Sequence, residues 1–290
     1  MHSSSNLRGI IYMVLSGLTF VSCDVFLKLM LADVPPLQAL VLRGLSATAW
    51  CFALLTVMGQ LGDLPKAFNR WTMLRSLAEV VAVTAFILAL ANVPLADVTA
   101  IYQVAPLLVL AGASFIWGEK VGLWRWLLIA LGLAGALVVA QPGREGASPF
   151  ALLGFVTAIG SAERDLLSRK GQQNVPGLVV TFNVVVAVLV ASFINNQIFE
   201  GWTPVSTNAW LYSIGSGFFV MIGHFFVYMA FRHASARVVA PFYYSFTLIA
   251  VTFGAVFFRE YPNAFALVGI GMIITCGLGV LYFERGETRT

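Results

Sequence analysis

Residues 95–116 read LADVTAIYQVAPLLVLAGASFI, a stretch of 22 residues in which Asp97 is the sole charged side chain. An α-helix needs about 20 mostly apolar residues to cross the hydrocarbon core of a bilayer. Similar stretches recur along the 290-residue chain, which is 59% hydrophobic and 10% charged. A soluble domain is about 25% charged, and a soluble chain cannot hide so much apolar surface from water. The composition therefore predicts an all-α membrane protein and excludes an ordinary cytosolic enzyme or a nucleic-acid binder, although the pI is near 9.1.

The apolar stretches predict ten transmembrane helices. Turn and helix-start residues such as Pro35-Pro36 and Pro142-Gly143 separate them. The first stretch has no clear small-residue cleavage site, so we expect a retained first span rather than a cleaved signal peptide. The ten predicted spans are residues 9–30, 37–58, 71–91, 95–116, 122–140, 149–170, 176–198, 209–231, 234–258 and 262–283.

The lysines and arginines predict the orientation, because cytoplasmic loops of membrane proteins carry an excess of both. With a cytoplasmic N-terminus, twelve of the 17 fall on the inner side and three, Lys28, Arg144 and Arg259, on the outer side. Arg43 and Arg164 lie within spans. The inner set is Arg8, Lys66, Arg70, Arg75, Lys120, Arg125, Arg169, Lys170, Arg232, Arg237, Arg285 and Arg289. We therefore expect both termini in the cytoplasm and a location in a bacterial inner membrane.

An internal repeat appears when the second half is shifted over the first by 141 positions without a gap. Five spans per repeat is an odd number, so the two repeats must lie in opposite orientations. Inverted repeats are typical of secondary transporters, in which the two halves can exchange conformations. The predicted units are a first repeat at 1–140, an outer linker at 141–148 and a second repeat at 149–290; a duplicated structural bundle without transport is the alternative. The shift aligns Asp24 with Asp165, Lys28 with Arg169, Tyr102 with Tyr243, and Glu119 with Glu260.

Motifs that close each half carry a resemblance to a known family. The first half has Pro94-Leu95-Ala96-Asp97, then Tyr102 to Leu107, then Trp117-Gly118-Glu119-Lys120; the second half has Val239 to Tyr243 and Phe258-Arg259-Glu260. Together they resemble the drug/metabolite transporter superfamily, specifically its EamA family, over essentially the whole chain. Asp24 with Lys28, then Arg43 and Glu79, resemble the branch with bacterial riboflavin and S-adenosylmethionine carriers, and the amino-acid exporters look more distant. The resemblance implies ten helices around a central cavity, alternating access and no ATP.

Charged residues near the outer ends of the first two spans form a candidate gate. Asp24 and Lys28 are four residues apart and share a helix face, and Arg43 enters the second span at a similar depth. An ionisable group inside the bilayer is costly and is a functional candidate by default. The three side chains predict an outer gate or an anchor for an anionic group. A mutually satisfied ion network that locks two helices is the alternative.

The sixth span repeats this charge pattern in its inner half. It contains Glu163, Arg164, Asp165 and Arg169. We predict a matched inner gate there, with Arg164 and Asp165 as its members. The alternative is that Arg169 and Lys170 are ordinary cytoplasmic anchors.

Glu79 lies near the middle of the third span and is a candidate for binding a cationic substrate group or for proton coupling. A simple pair with Arg75, four residues earlier, is the alternative. His224, in the eighth span, is a candidate substrate ligand, although a lone histidine on an apolar helix is more often a hydrogen-bonded packing residue.

Aromatic and amide side chains occur at related positions of the fourth and ninth spans. Tyr102, Gln103, Tyr243 and Tyr244 predict contacts to a planar or cationic metabolite, with the aromatic belt of the membrane interface as the alternative. The nearby Pro106 and Pro241 remove backbone donors and can bend their helices, so we predict hinges at these two positions.

The function predicted from these features is a secondary carrier for a small organic metabolite such as a vitamin, a nucleoside-like cofactor, an amino acid or a carboxylate. An intramembrane enzyme, a channel and an amino-acid exporter are the alternatives. The chain has no HExxH, GxSxG or SxxK motif, and its three cysteines form no metal or disulfide pattern. We therefore expect no catalysis, metal or cofactor. The expected partners are a small-molecule substrate, the bilayer and, as options, protons and a second copy in a homodimer.

Overall fold

The computed structural model describes residues 2–118, 121–143, 148–171, 175–234 and 236–287. Within these ranges the chain is helical and contains no strand, which confirms the all-α prediction. Glu119, Lys120, Arg144 and Arg289 lie outside these ranges, and so do the side chains of Arg169, Lys170, Arg232, Arg237 and Arg285. The helices are α1 (His2–Met30), α2 (Pro36–Val57), α3 (Arg70–Leu90), α4 (Leu95–Tyr102), α5 (Ala105–Trp117), α6 (Leu123–Ala140), α7 (Leu153–Gly171), α8 (Gly177–Asn195), α9 (Thr207–His233), α10 (Ala236–Val239), α11 (Ser245–Phe253) and α12 (Ala264–Glu287).

Eight helical segments among the described residues are long and apolar enough to cross a membrane, and Ala264–Val280 is a shorter apolar helix. At most 44% of the residues in the most apolar window of any segment are buried inside the protein. Large apolar side chains cover the outer surface, for example Val57 at 84% and Phe115 at 80% exposure. Such a surface is compatible with lipid and not with water. The sixth predicted span corresponds to α7, whose second half carries the charges of the predicted inner gate.

The fourth and ninth predicted spans are divided rather than continuous. Helix α4 ends at Tyr102 and α5 begins at Ala105. In the second half, α10 is followed by a 3-10 turn at Ala240–Tyr244, then α11, then a π-helical turn at Gly254–Phe258. Pro106 lies in the first turn of α5 and Pro241 in the first turn of the 3-10 segment. A proline has no N–H to donate to the carbonyl four residues earlier, so the regular ladder is interrupted beside each of them.

The fifth span of each half packs against its counterpart, and the two run antiparallel. Gly132 of α6 faces Cys276 of α12, whereas Gly135 faces Met272 and the carbonyl of Gly269. Moving up one helix therefore means moving down the other. A Cβ at Gly269 would come within 2.5 Å of the Gly135 carbonyl oxygen, so only glycine permits this close approach. Small residues thus allow these two helices to pack closely.

The second spans of the two halves are related in the same way. Gly44 of α2 faces Leu189 of α8, and the Cys51 thiol, further along α2, faces the Leu178 carbonyl, which is earlier in α8. These helices are therefore also antiparallel. The remaining large contacts between the halves are reciprocal, because α1 packs on α9 as α7 packs on α3. Helices α4 and α5 pack on α7 as α11 packs on α1.

The two largest apolar clusters among the described residues join helices of both halves. One surrounds Ile101 and Ile273 and joins α4, α6, α7 and α12. The other surrounds Leu40 and Leu90 and joins α1, α2, α3, α9 and α11. Each cluster combines helices of both halves, so the two halves share their cores.

Candidate functional site

A small cavity lies between α2 and α3 of the first half and α8 and α9 of the second. Its polar lining consists of Arg43, Glu79 and His224. Glu79 is near the midpoint of α3, so the cavity lies well inside the hydrocarbon layer. Its volume of about 40 Å³ admits a few water molecules but no organic metabolite. An organic metabolite would therefore require this cavity to widen. The other lining residues are Gly44, Ala47, Val83, Val184, Val185, Val188 and Val220.

Glu79 forms an ion pair with Arg164 that joins the two halves. The Arg164 Nη1 donates to Glu79 Oε2 at 2.9 Å, and both side chains are largely buried, at 19% and 15% exposure. The Arg164 Nε donates to Asp165 Oδ1 at 2.8 Å. Arg75, the partner in the alternative hypothesis, donates to the Ser168 hydroxyl at 2.9 Å. The simple Glu79–Arg75 pair is therefore wrong, because helix α7 brings a second arginine closer to the carboxylate than the residue one turn away.

This pairing also changes the place of Arg164, which we expected at an inner gate. Antiparallel packing of α3 on α7 sets Arg164 opposite Glu79 and Ser168 opposite Arg75. Arg164 thereby belongs to the central polar group. Asp165 is half exposed and joins this group through its contact with Arg164.

The expected cluster of Asp24, Lys28 and Arg43 is divided into two sites. Arg43 lines the central cavity, with Cys23 and Asp24 of α1 as its electrostatic neighbours. Lys28 lies one helical turn beyond Asp24 and bonds to Glu260 at 2.6 Å. The structure thus keeps Arg43 beside Asp24 and pairs Lys28 with Glu260, and a gate formed by these residues stays a prediction.

Lys28 and Glu260 form a contact that we call the latch. The Lys28 ammonium also donates to the Val93 carbonyl at 3.1 Å, and Glu260 Oε2 accepts the backbone N–H of Leu95 at 3.0 Å. The carboxylate thereby caps the first turn of α4, where negative charge is favoured. The ring of Phe258 lies 5.2 Å from the ammonium. The latch ties the end of α1 and the start of α4 to the segment after α11.

Sequence reasoning did not place Glu260 in a site. A signal was present, because the 141-residue shift aligns Lys28 with Arg169 and also Glu119 with Glu260. A cation and a carboxylate that both recur under one shift indicate a pair. Glu119 and the Arg169 side chain lie outside the described residues.

The residues at the two helix breaks touch each other. The Gln103 amide nitrogen donates to the Tyr243 carbonyl at 2.8 Å, and the Gln103 side chain is buried. Tyr102 is an electrostatic neighbour of Arg164 and belongs to the central group. Tyr243 stacks on Phe246 at 4.9 Å. The breaks of the fourth and ninth segments therefore form one joint beside the charged centre.

Two of the predicted substrate contacts, Gln103 and Tyr244, have structural partners. Gln103 is used by the joint described above. Tyr244 is 4% exposed and packs on Gly277 of α12, where an added Cβ would overlap the phenol ring. Neither residue is among those lining the described cavity. His224 fits both of its candidate roles, because it lines the cavity like a substrate ligand and also packs edge-on against the Phe20 ring at 5.1 Å.

The two prolines lie where the helices are interrupted. Pro106 is exposed at the start of α5, and Pro241 is half buried in its 3-10 turn. The structure shows the interruptions at both sites, and their use as hinges stays a prediction. Among the described residues, no group of three His, Cys, Asp or Glu side chains is placed to hold a metal ion.

Apolar helices long enough to span a bilayer, interlocked in two halves around buried charges, define a polytopic α-helical membrane protein. A family model places it further: the EamA-like transporter family matches at residues 7–141 and again at 148–282. The chain belongs to this family, which confirms the resemblance seen in its motifs.

Bacterial transporters are among the similar proteins. The pseudopaline exporter of Pseudomonas aeruginosa is 22% identical over 96% of this chain and 97% of its own length. A riboflavin transporter of Rhizobium johnstonii is 26% identical over 97% and 93%, respectively. An S-adenosylmethionine uptake transporter of Rickettsia prowazekii is 27% identical over 73% and 72%. The last two carry the functions of the branch that the sequence resembles.

Proposed function

We propose that this protein is a secondary carrier that moves a small organic metabolite across a bacterial inner membrane by alternating access, without ATP. Ten membrane-spanning segments form two inverted five-helix repeats, and both termini face the cytoplasm. The antiparallel packing of α6 on α12 and of α2 on α8 supports the inversion. Equivalent helices can run antiparallel when the two repeats are related by an axis in the membrane plane.

The observation that carries the proposal is the charged cavity at the interface of the halves. Arg43 and Glu79 come from the first half, and His224 comes from the second. A structural bundle has no need for such groups in mid-membrane, where each costs several kcal/mol unless it is paired or hydrated. A substrate site requires them, and a site shared by both halves changes shape whenever the halves move.

The latch and the joint are the two contacts between the halves that change in the proposed movement. The latch holds the two halves together at the proposed outer end of α1, so its release opens the cavity to that side. The joint links the interruptions of the fourth and ninth segments, where the interrupted backbone ladders are easiest to bend. Because both contacts cross between the halves, a change in one half is transmitted to the other.

The proposed substrate is a small organic metabolite, and the cavity between the four helices widens to admit it. S-adenosylmethionine and riboflavin are the first compounds to test, because similar transporters are named for them. The similar proteins include an exporter as well as an uptake transporter, so both directions are measured.

The test uses the purified full-length chain in liposomes. We expect saturable uptake of a labelled metabolite and counterflow, in which excess unlabelled compound inside accelerates entry of the label. A channel gives neither saturation at low concentration nor counterflow. Empty liposomes are the background control. Lack of counterflow with S-adenosylmethionine, riboflavin, amino acids and carboxylates would contradict the carrier function.

The matching variant is Glu79→Gln, which removes the central negative charge but keeps the shape of the side chain. We expect at least a tenfold loss of flux, since Arg164 would lose its buried partner and keep only the half-exposed Asp165. Size-exclusion chromatography checks that the variant is folded. Unchanged affinity and rate in Glu79→Gln would remove Glu79 from the site.

A further inference from the structure

Arg43 lies in the membrane interior but, unlike Glu79 with Arg164 and Lys28 with Glu260, it is not part of an ion pair among the described residues. Glu79 and Arg164 neutralise each other at 2.9 Å, and Lys28 and Glu260 do so at 2.6 Å. The Arg43 guanidinium forms no ion pair with any carboxylate of the described residues, although Asp24 is an electrostatic neighbour. It faces the cavity all the same.

The depth of Arg43 makes this arrangement costly. Arg43 is the eighth residue of α2, which places it about 10 Å along the helix from its first residue. A guanidinium at such a depth costs several kcal/mol without a counter-ion or water. The cavity admits a few water molecules, which hydrate the charge while no substrate is bound. An anionic group that replaces this water would complete the site.

The rest of the wall is apolar. Five valines, Val83, Val184, Val185, Val188 and Val220, line the cavity together with Gly44 and Ala47. Glu79 is already paired with Arg164, so Arg43 is the charged group of the lining that forms no ion pair with a carboxylate of the described residues. The ligand that suits such a wall is an organic anion with an apolar body.

Resting on the proposed carrier function, we propose that the substrate bears a carboxylate, which binds the Arg43 guanidinium while its apolar body packs on the valines of α8. A planar guanidinium donates two parallel hydrogen bonds to the two oxygens of a carboxylate. Arg43 thus determines specificity at the centre and is not a gate residue. Substrate entry must widen the gap between α2 and α8.

Matched acid and amide pairs test this assignment. The probes are 3-phenylpropionate with 3-phenylpropionamide, leucine with leucinamide, and phenylalanine with phenylalaninamide, each added to the detergent-purified full-length chain in a thermal-shift titration. We expect the acid of at least one pair to stabilise the protein at concentrations at least tenfold below those needed with its amide. If no acid is preferred over its amide, the assignment is wrong.

Variants at Arg43 identify the group that reads the carboxylate. Arg43→Gln is expected to abolish the preference for the acid, and Arg43→Lys to keep part of it as a point charge. The control is Arg70→Gln, because Arg70 is exposed at the start of α3 and stacks on Trp71 instead of lining the cavity. An acid preference that survives in Arg43→Gln would overturn the proposal.

The outcome of this test can be distinguished from a failure of the proposed carrier function. Counterflow of an uncharged compound that persists in Arg43→Gln would leave the carrier function standing and refute the carboxylate site. Conversely, an acid preference that depends on Arg43, in a protein that shows no counterflow, would keep the site and contradict the carrier.

Discussion

Replacing Glu260 by glutamine removes one charge from the latch and is expected to open the proposed outer end of the protein. The pair lies between a fully exposed and a fully buried ion pair, since the Lys28 side chain is 14% and the Glu260 side chain is 23% exposed. Exposed ion pairs contribute about 0.2–1 kcal/mol, whereas breaking a buried pair costs about 3–5 kcal/mol. The neutral amide of Gln can still accept the Leu95 N–H, which preserves part of the contact.

These values bracket a cost of about 2 kcal/mol for the closed conformation. A tenfold change in an equilibrium corresponds to about 1.4 kcal/mol, so Glu260→Gln is expected to raise the open population roughly 30-fold. Lys28→Gln is expected to raise the open population by a similar factor. The double variant is expected to cost less than the sum of the two single variants, because they remove the same contact.

Cysteine labelling measures the open population. Cys23, Cys51 and Cys276 are buried and free, and they are first replaced by alanine. Val93→Cys then serves as the reporter, because Val93 is 6% exposed beside the latch. A membrane-impermeant thiol reagent added to whole cells is expected to label it roughly 30-fold faster in the Glu260→Gln background, in proportion to the open population.

The control removes a pair that the latch does not use. Asp63→Asn breaks the exposed Lys66–Asp63 pair and is expected to leave the labelling rate unchanged. Equal labelling in Glu260→Gln and in the parent protein would show that the pair does not hold the closed state.

Two further predictions concern packing and movement. Gly277→Ala places a methyl group on the Tyr244 ring, so it is expected to destabilise the protein by about 1–3 kcal/mol and to lower its melting temperature. The control is Gly271→Ala, because a Cβ added there meets nothing within 4 Å. Equal stability of the two variants would contradict the packing of Tyr244 on Gly277. Pro106→Ala supplies an N–H at the start of α5 and is expected to slow turnover at least severalfold without weakening substrate binding; unchanged turnover would remove the hinge.

The helices could be predicted from the sequence because each requires only local information. A run of about 20 apolar residues satisfies every backbone hydrogen bond within itself, so its length and its flanking turns decide its limits. The predicted 71–91 span and α3 at Arg70–Leu90 differ by one residue at each end. The prolines also located the interruptions, since a missing N–H acts within one turn. The division of the ninth segment into four short pieces depends on packing and had no local signal.

The partners of the buried charges could not be predicted in the same way. Lys28 shares a helix face with Asp24 and was expected beside Arg43, yet its partner Glu260 follows α11. Glu79 has an arginine one turn away and still pairs with Arg164, which is 85 residues distant. In each case the decision is made by how two helices cross, and the spacing along one helix carries no information about that crossing.

The pairing of charges across the halves has a consequence for biogenesis. Lys28 and Glu79 enter the membrane early, but their partners follow 232 and 85 residues later along the chain. During synthesis the first half therefore holds these two charges without their final partners until the second half is inserted. A chain that stops in the linker would leave both charges without the partners that the complete fold provides.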